Sequence, residues 1–258
     1  MLCAVGARSW RPLRISGSGR RGRTVEAVLP RTGTADGLAY ALWCPTTPPV
    51  AGVLIVHGAG SAKESHYDFA RAAIALGFVA LTFDQRGHGE SEGRLDGRAV
   101  EDVVAMAAVL RRELPDGETS VALRGSSLGG YLCLRAADEA RAQAVLAISP
   151  ASPNGLRRAL ENESLPWRID RAALVGLLEE VKLPAVVSRL DIPVLFMHAQ
   201  GDEQVPVELS RELAADAQAA GSRLIEVPGG HHRSVQHDAE LQAVSLRFLQ
   251  GAFGLRRA

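Results

Sequence analysis

Short continuous apolar runs recur along this chain with helical stretches between them, and that alternation leaves few folds open. Val53–Val56, Phe78–Phe83, Val121–Leu123, Ala144–Ile148 and Val194–Met197 are rich in apolar residues and show no polar alternation, and Leu224–Val227 reads as a last strand. That pattern suits strands buried on both faces. Between them, Phe69–Leu76 (stopped by Gly77), Val100–Leu110, Leu128–Ala137, Val207–Ala220 (ended by Gly221) and Leu241–Phe248 carry helical spacing. Strands alternating with helices predict an α/β fold: a mostly parallel central sheet with helices on both faces. Ahead of this series, Val25–Leu29 and Ala39–Trp43 read as two short strands joined by the Gly33–Gly37 turn region, followed by a loop marked by Pro45, Pro48 and Pro49.

Two segments break the rhythm. Ala151–Leu190 has no convincing strand but holds three prolines and two amphipathic stretches, around Leu156–Leu160 and Ala172–Val181. It falls between two strands, at the carboxyl edge of the sheet, where ligands bind in such folds. It is expected to be a small helical cap inserted at about residues 151–190, ordinary crossover helices being the alternative. At the other extreme, residues 1–23 hold six arginines and no acid. Met1–Ala7 is too short for the apolar core of a secretory signal. The leader is expected to be a disordered tail; an organellar transit peptide shares its composition. Residues 24–258 then form a single domain.

The 29 basic and 29 acidic residues cancel, so no overall charge draws the chain to nucleic acid or an anionic membrane. No stretch is long and apolar enough to span a bilayer. Three scattered cysteines, Cys3, Cys44 and Cys133, form neither a disulfide framework nor a zinc motif. A reducing, cytoplasmic compartment fits best.

The sharpest chemical signal is Gly125-Ser126-Ser127-Leu128-Gly129, after one predicted strand and opening one predicted helix. Small residues two before and two after the serine allow a tight strand-to-helix turn that exposes a nucleophile. The N–H of Leu128, at a helix N-terminus, is placed to face an oxyanion. His57-Gly58-Ala59-Gly60 directly follows the strand Val53–Val56, where a loop supplies a second oxyanion donor, assigned to Ala59; His57 itself reads as structural. A phosphate-cradling role fails for want of a following Gly-Lys-Ser/Thr. Asp202, just past the strand Val194–Met197, is the candidate carboxylate, although it also reads as a turn or helix cap, and Asp170 and Asp191 are rivals. His231 and His232, after the strand Leu224–Val227, compete as general base, and His232 is preferred.

The order Ser127, Asp202, His232, one on each of three loops that follow predicted strands, resembles the α/β-hydrolase superfamily over nearly all of residues 25–253. Within it the chain is similar to the serine aminopeptidase, monoacylglycerol lipase and cinnamoyl esterase-like group. Phe83-Asp84-Gln85-Arg86-Gly87-His88-Gly89-Glu90-Ser91 resembles that group's D-x-R-G-x-G-x-S loop, as does His57-Gly58 followed by Ser61, Lys63 and Glu64. The resemblance implies that Asp84, Arg86, His88 and Ser91 hold loops in place rather than react. Its G-x-x-H pattern lands on Gly229 and His232, favouring His232 over His231. Ala59 stands where a larger residue is common, and the Arg-rich leader has no counterpart in the group.

The expected reaction is two-step acyl transfer on a small-molecule acyl substrate. Ser127 is the nucleophile, His232 the base, Asp202 its orienting carboxylate, and Ala59 and Leu128 the oxyanion donors, with no metal or organic cofactor. Among the cap's apolar residues, Leu156, Leu160, Leu165, Trp167, Leu174, Leu177 and Leu178 either line an acyl site or pack on the sheet. A carboxylesterase for small or medium acyl groups is favoured over an aminopeptidase-like amidase, for which Glu161, Glu163, Glu179 and Glu180 would be candidate amine readers. A thioesterase, a cofactor-free haloperoxidase and a non-catalytic ligand-binding scaffold are further readings of the same fold.

Overall fold

The computed structural model describes residues 28–115, 120–162, 168–179 and 182–255. Its eight strands form one sheet in the order β1-β2-β4-β3-β5-β6-β7-β8. They are β1 (Arg31–Ala35), β2 (Leu38–Trp43), β3 (Ala51–Val56), β4 (Phe78–Phe83), β5 (Val121–Ser126), β6 (Ala144–Ile148), β7 (Val194–Ala199) and β8 (Arg223–Val227). β1 and β2 pair antiparallel, as do β2 and β4; all other pairs are parallel. This is the mostly parallel sheet that the apolar runs predict.

Helices cover both faces. Along β3, Leu54 and Val56 join a core cluster with Val103, Met106 and Leu110 of α2 (Ala99–Arg111) and Tyr131 and Leu132 of α3 (Leu128–Ala136). Val53 and Ile55, pointing the other way, pack with Phe69 and Ala73 of α1 (Tyr67–Ile74) and Leu246 and Leu249 of α9 (Ala239–Ala252). The period-two alternation of a strand thus feeds two cores at once, which is why these segments read as unbroken apolar runs.

Among the described residues, three helices lie between β6 and β7: α4 (Pro153–Glu161), α5 (Arg171–Glu179) and α6 (Leu183–Val187). α4 starts where the sequence allows a firm start. Ser152 Oγ accepts from Gly155 N at 2.9 Å, and Pro153 takes the first helical position, where no N–H is required. The last crossover is α7 (Val207–Asp216), and the short α8 (Ser234–His237) follows β8. Among the described residues, no helix is long and apolar enough to cross a membrane.

Two local expectations are corrected. The predicted strand Val25–Leu29 is not where the first strand lies: Val28 and Leu29 are exposed and unpaired in the sheet, and residues 25–27, like the leader 1–23, lie outside the described residues. The strand is Arg31–Ala35, inside the expected turn region, and only Asp36 and Gly37, both at positive φ, make the hairpin turn. β1 is an edge strand whose side chains are mostly exposed, so it carries no apolar signature. The helix expected to reach Ala220 stops at Asp216, because Ala217 turns to extended backbone and the chain returns towards β8. Tertiary demand there overrides the good helix propensity of Ala217–Ala220.

Chain order reverses at β3, with β4 on one side and β5 on the other. The loops after β3 and β5 therefore meet at the crevice where such sheets bind ligands. They meet very closely. A Cβ on Gly129 would stand 2.1 Å from the carbonyl oxygen of Val56, and one on Gly125 2.1 Å from that of Gly129. The G-x-S-x-G spacing is thus a requirement of backbone contact between α3, β5 and the end of β3. Gly129→Ala, a change that stabilises an unobstructed helix by about 1 kcal/mol, is expected here to destabilise by about 3 kcal/mol or more. Gly176→Ala, in α5 with nothing within 4 Å of the added carbon, is expected to stabilise slightly. Urea denaturation of both variants checks the opposite signs.

Candidate active site

Ser127 sits between the last residue of β5 and the first of α3, with φ 52° and ψ −118°. A non-glycine residue holds such a conformation only when its surroundings fix it. Here Ser127 N donates to Ile148 O at 2.9 Å, and Ser127 O accepts from Tyr131 N at 3.1 Å and Ala151 N at 3.0 Å. Gly58 lies alongside; a Cβ there would come within 3.3 Å of the Ser127 Cβ.

The loop carrying Gly58 is held by histidines in fixed tautomers. Gln85 N donates to His57 Nε2 at 3.0 Å, so the ring hydrogen is on Nδ1, which donates to Gly58 O at 2.7 Å. Burial, helped by the neighbouring His88, lowers the His57 pKa to about 4, so the ring is neutral. Gly60 N donates to His88 Nε2 at 3.1 Å and Ser61 N to Gly58 O at 3.3 Å, which commits those two amides of the loop. Behind it, Asp84 accepts from Lys63 Nζ and Lys63 N, each at 2.8 Å, and from Glu90 N at 3.0 Å. Ser91 Oγ accepts from Ala39 N, and Arg86 pairs with Asp102 at 2.8 Å. These residues stitch loops together.

Asp202 and His232 meet across the loops after β7 and β8. His232 Nδ1 lies 2.8 Å from Asp202 Oδ2 and 3.0 Å from Oδ1, while Gln204 N and Val205 N both donate to Oδ1 at 2.9 Å. Asp202 therefore does both things the sequence allows: it makes the turn and it holds the imidazole. The two histidines separate cleanly. His232 is buried and faces the cavity, whereas His231 is exposed, its N donating to Ser234 Oγ at 3.0 Å. Asp170, the rival carboxylate, starts α5, where its Oδ1 accepts from Ala173 N at 3.2 Å.

Ser127 and His232 line one cavity of about 740 Å³, together with Gly58, Ala59, Ser152, Leu156, Arg158 and Asn162. Leu128 is buried at the start of α3. Of the cap leucines named from sequence, only Leu156 lines the cavity among the described residues. Leu160, Leu174, Leu177 and Leu178 belong to the core cluster instead, so packing claims them; Leu165 and Trp167 lie outside the described residues. The side chains of Glu163, Glu179 and Glu180 are likewise outside them, and Glu161 is not in the cavity wall. Among the described residues no three His, Cys, Asp or Glu side chains gather as metal ligands.

Sequence reasoning missed His198, in β7, whose Nε2 lies 3.2 Å from Asp202 Oδ2. The signal was a histidine four residues before the candidate carboxylate, hidden because the predicted strand stopped at Met197. It also missed Arg124, the fully buried residue two before Ser126, which donates to Gln236 O at 2.8 Å and stacks over Phe69. Arg124 links the serine's strand to α8, just beyond His232.

The family described as serine aminopeptidase, S33, matches residues 47–172. The solved Est1E of Butyrivibrio proteoclasticus, with ferulic acid bound, superposes with a TM-score of 0.67 at 20% identity, over 87% of this chain and 98% of that one. The chain therefore has the α/β-hydrolase fold, and about half of it matches that family. It is 28% identical to an uncharacterized protein of Mycobacterium tuberculosis, over 83% of the chain and 75% of that protein. It is 32% identical to human monoglyceride lipase over 43% of the chain and 38% of the lipase.

Burial would raise the pKa of Asp202, but hydrogen bonds from His198, His232 and the amides of Val205 and Gln204 outweigh it and hold the carboxyl well below the usual range. A depressed folded-state pKa gives stability that is present above the unfolded value, about 3.9, and is lost as pH falls towards the folded one. Asp202→Asn is therefore expected to be less stable than wild type at pH 7 and to lose less stability between pH 6 and pH 3. Urea midpoints across that range check it.

Proposed function

We propose that this α/β-hydrolase is a serine hydrolase that cleaves carboxylic esters of small or medium acyl groups through an acyl-enzyme. The reading rests on one observation. Ser127, on a turn held at positive φ, opens onto the same cavity as His232, whose Nδ1 is turned to Asp202. That leaves Nε2 as the ring nitrogen free to take the seryl proton. Ser127 Oγ then attacks the ester carbonyl, and the N–H groups of Leu128 and Ala59 stabilise the oxyanion. His232 returns the proton to the leaving alcohol and next takes one from water, which releases the acid.

The ester bond is favoured by the similarity to monoglyceride lipase and by the cavity wall. An amidase reading a free amine calls for an acid on the cap. Among the described residues α4 and the residue after it present Arg158 and Asn162 instead, and the acid in the described wall, Glu203, comes from the loop after β7. Ser61, Ser152, Gln204 and Arg233 add polar groups to a wall otherwise made largely of small residues such as Ala59, Ala151 and Ala159, which suits a short acyl group better than a long chain.

A fluorophosphonate probe is expected to label wild type and spare Ser127→Ala; equal labelling of both would overturn the nucleophile, and a protein that neither reacts nor hydrolyses any ester would favour the ligand-binding scaffold. Among aryl esters, acetyl and butyryl are expected to be cleaved faster than decanoyl, and aminoacyl amides slowest. His232→Ala is expected to cost about 10⁶-fold in kcat, His231→Ala less than about tenfold; the reverse ranking would move the base by one residue.

A further inference from the structure

His198 has no part in the reaction proposed above, yet it is wholly buried beside it. Its surroundings fix where its hydrogen lies. Nε2 faces only acceptors, Val205 O at 2.9 Å and Asp202 Oδ2 at 3.2 Å, so it carries a hydrogen in either protonation state of the ring. Nδ1 faces Ser210 Oγ, in α7, at 2.7 Å. In the neutral ring, the Ser210 hydroxyl donates to Nδ1, which polarises the ring and makes Nε2–H a better donor.

A carboxylate offers about four lone-pair sites. Around Asp202, the amides of Gln204 and Val205 occupy Oδ1, His232 spans both oxygens, and His198 takes the remaining side of Oδ2. The carboxylate thus has no rotation open to it that does not break a bond. Charge drawn from Oδ2 towards His198 is charge not felt by His232, so the contact also sets how basic the proposed base is.

We infer that His198, backed by Ser210, is a positioning residue that locks the Asp202 carboxylate and lowers the basicity of His232. The inference rests on the proposed triad for its effect on rate, but its effect on His232 ionisation is readable without any turnover. The other charged groups near the pair are Glu203, whose Oε2 accepts from His232 N at 3.2 Å, Arg233 next in the chain, and Glu226 on β8. Glu226 is held by Arg211 and Gln200 and keeps those partners in every variant below.

The test is a histidine-ring NMR titration of the full-length protein alongside kcat and KM against pH, in wild type, His198→Leu, His198→Gln and Ser210→Ala. In His198→Leu the His232 midpoint is expected to rise by about half a pH unit, the acid limb of kcat/KM to move with it, and kcat to fall about tenfold at unchanged KM. Gln restores an N–H near the Nε2 position and is expected to recover most of both. Ser210→Ala is expected to shift the midpoint the same way by less. An unmoved midpoint in folded His198→Leu, or a Gln variant that matches Leu, would overturn the inference; should His198→Leu fail to fold, an unmoved midpoint in Ser210→Ala does so. A wild type that titrates as expected but hydrolyses no ester would count against the proposed function and leave the coupling standing.

Discussion

The site exists because three backbone segments touch without side chains between them. The first turn of α3 presses on the end of β3, and Gly125 and Gly129 leave no room for even one carbon. This contact sets the height of Ser127 above the sheet and brings the Gly58 loop against its side chain. It also explains the unusual backbone of Ser127. A strand that must reverse into a helix within one residue, against a neighbouring strand end, has few conformations left. Hydrogen bonds to Ile148, Tyr131 and Ala151 then hold the strained one. The cost of that strain is met by the packing of the whole β3–β5–β6 centre, where the strand residues are almost wholly excluded from solvent.

Around this centre the charged groups that burial would penalise are each answered by several partners. Lys63, only 3% exposed, contacts Asp84, Glu64 and Glu90, and their hydrogen bonds outweigh the burial that would lower its pKa. Asp202 has four donors. Arg124 is the exception: among the described residues no carboxylate bonds to it, burial lowers its pKa to about 10, and it relies on Gln236 O, His66 Nδ1 and the face of Phe69. Each of these groups ties together loops that follow different strands. Removing one partner would leave a buried charge, a change that typically costs several kcal/mol, so the loops at the sheet edge are bound into one rigid rim. A rim of that kind holds fixed dipoles around a reacting group, which is how electrostatic stabilisation gains its strength.

The inner strands and the main helices were legible because burial on both faces writes the same letters at every position. β4 and β6 carry the bounds expected from their apolar runs. Legibility failed where burial did not write the pattern. β1 is an edge strand with exposed threonines, and its Asp36-Gly37 turn, a strong hairpin signal, was absorbed into a wider turn region. α8 is one turn long, too short for any period. The candidate site was legible for a different reason: each of Ser127, Asp202 and His232 follows a parallel strand, so all three lie at the carboxyl edge of the sheet. His198 was not, because a histidine inside an apolar strand reads as core until its partner is seen across the loop.

The cap shows how packing shapes chemistry. Three short helices cannot hold themselves together in water, since each has too few turns to offset the cost of nucleation. Their apolar residues must therefore join the main core, and they do: Leu160, Leu174, Leu177, Leu178, Leu183 and Val187 all lie in the cluster that includes α2 and α3. What remains on the cavity side of α4 is Gly155, Leu156, Arg158 and Ala159, with Asn162 just beyond. A cap with more apolar residues than docking requires could turn the surplus towards the substrate. Here docking takes nearly all of the described ones, so the described wall beside Ser127 is mostly small or polar. The small acyl groups proposed as substrates match that wall, which itself follows from the need of these helices to stay attached.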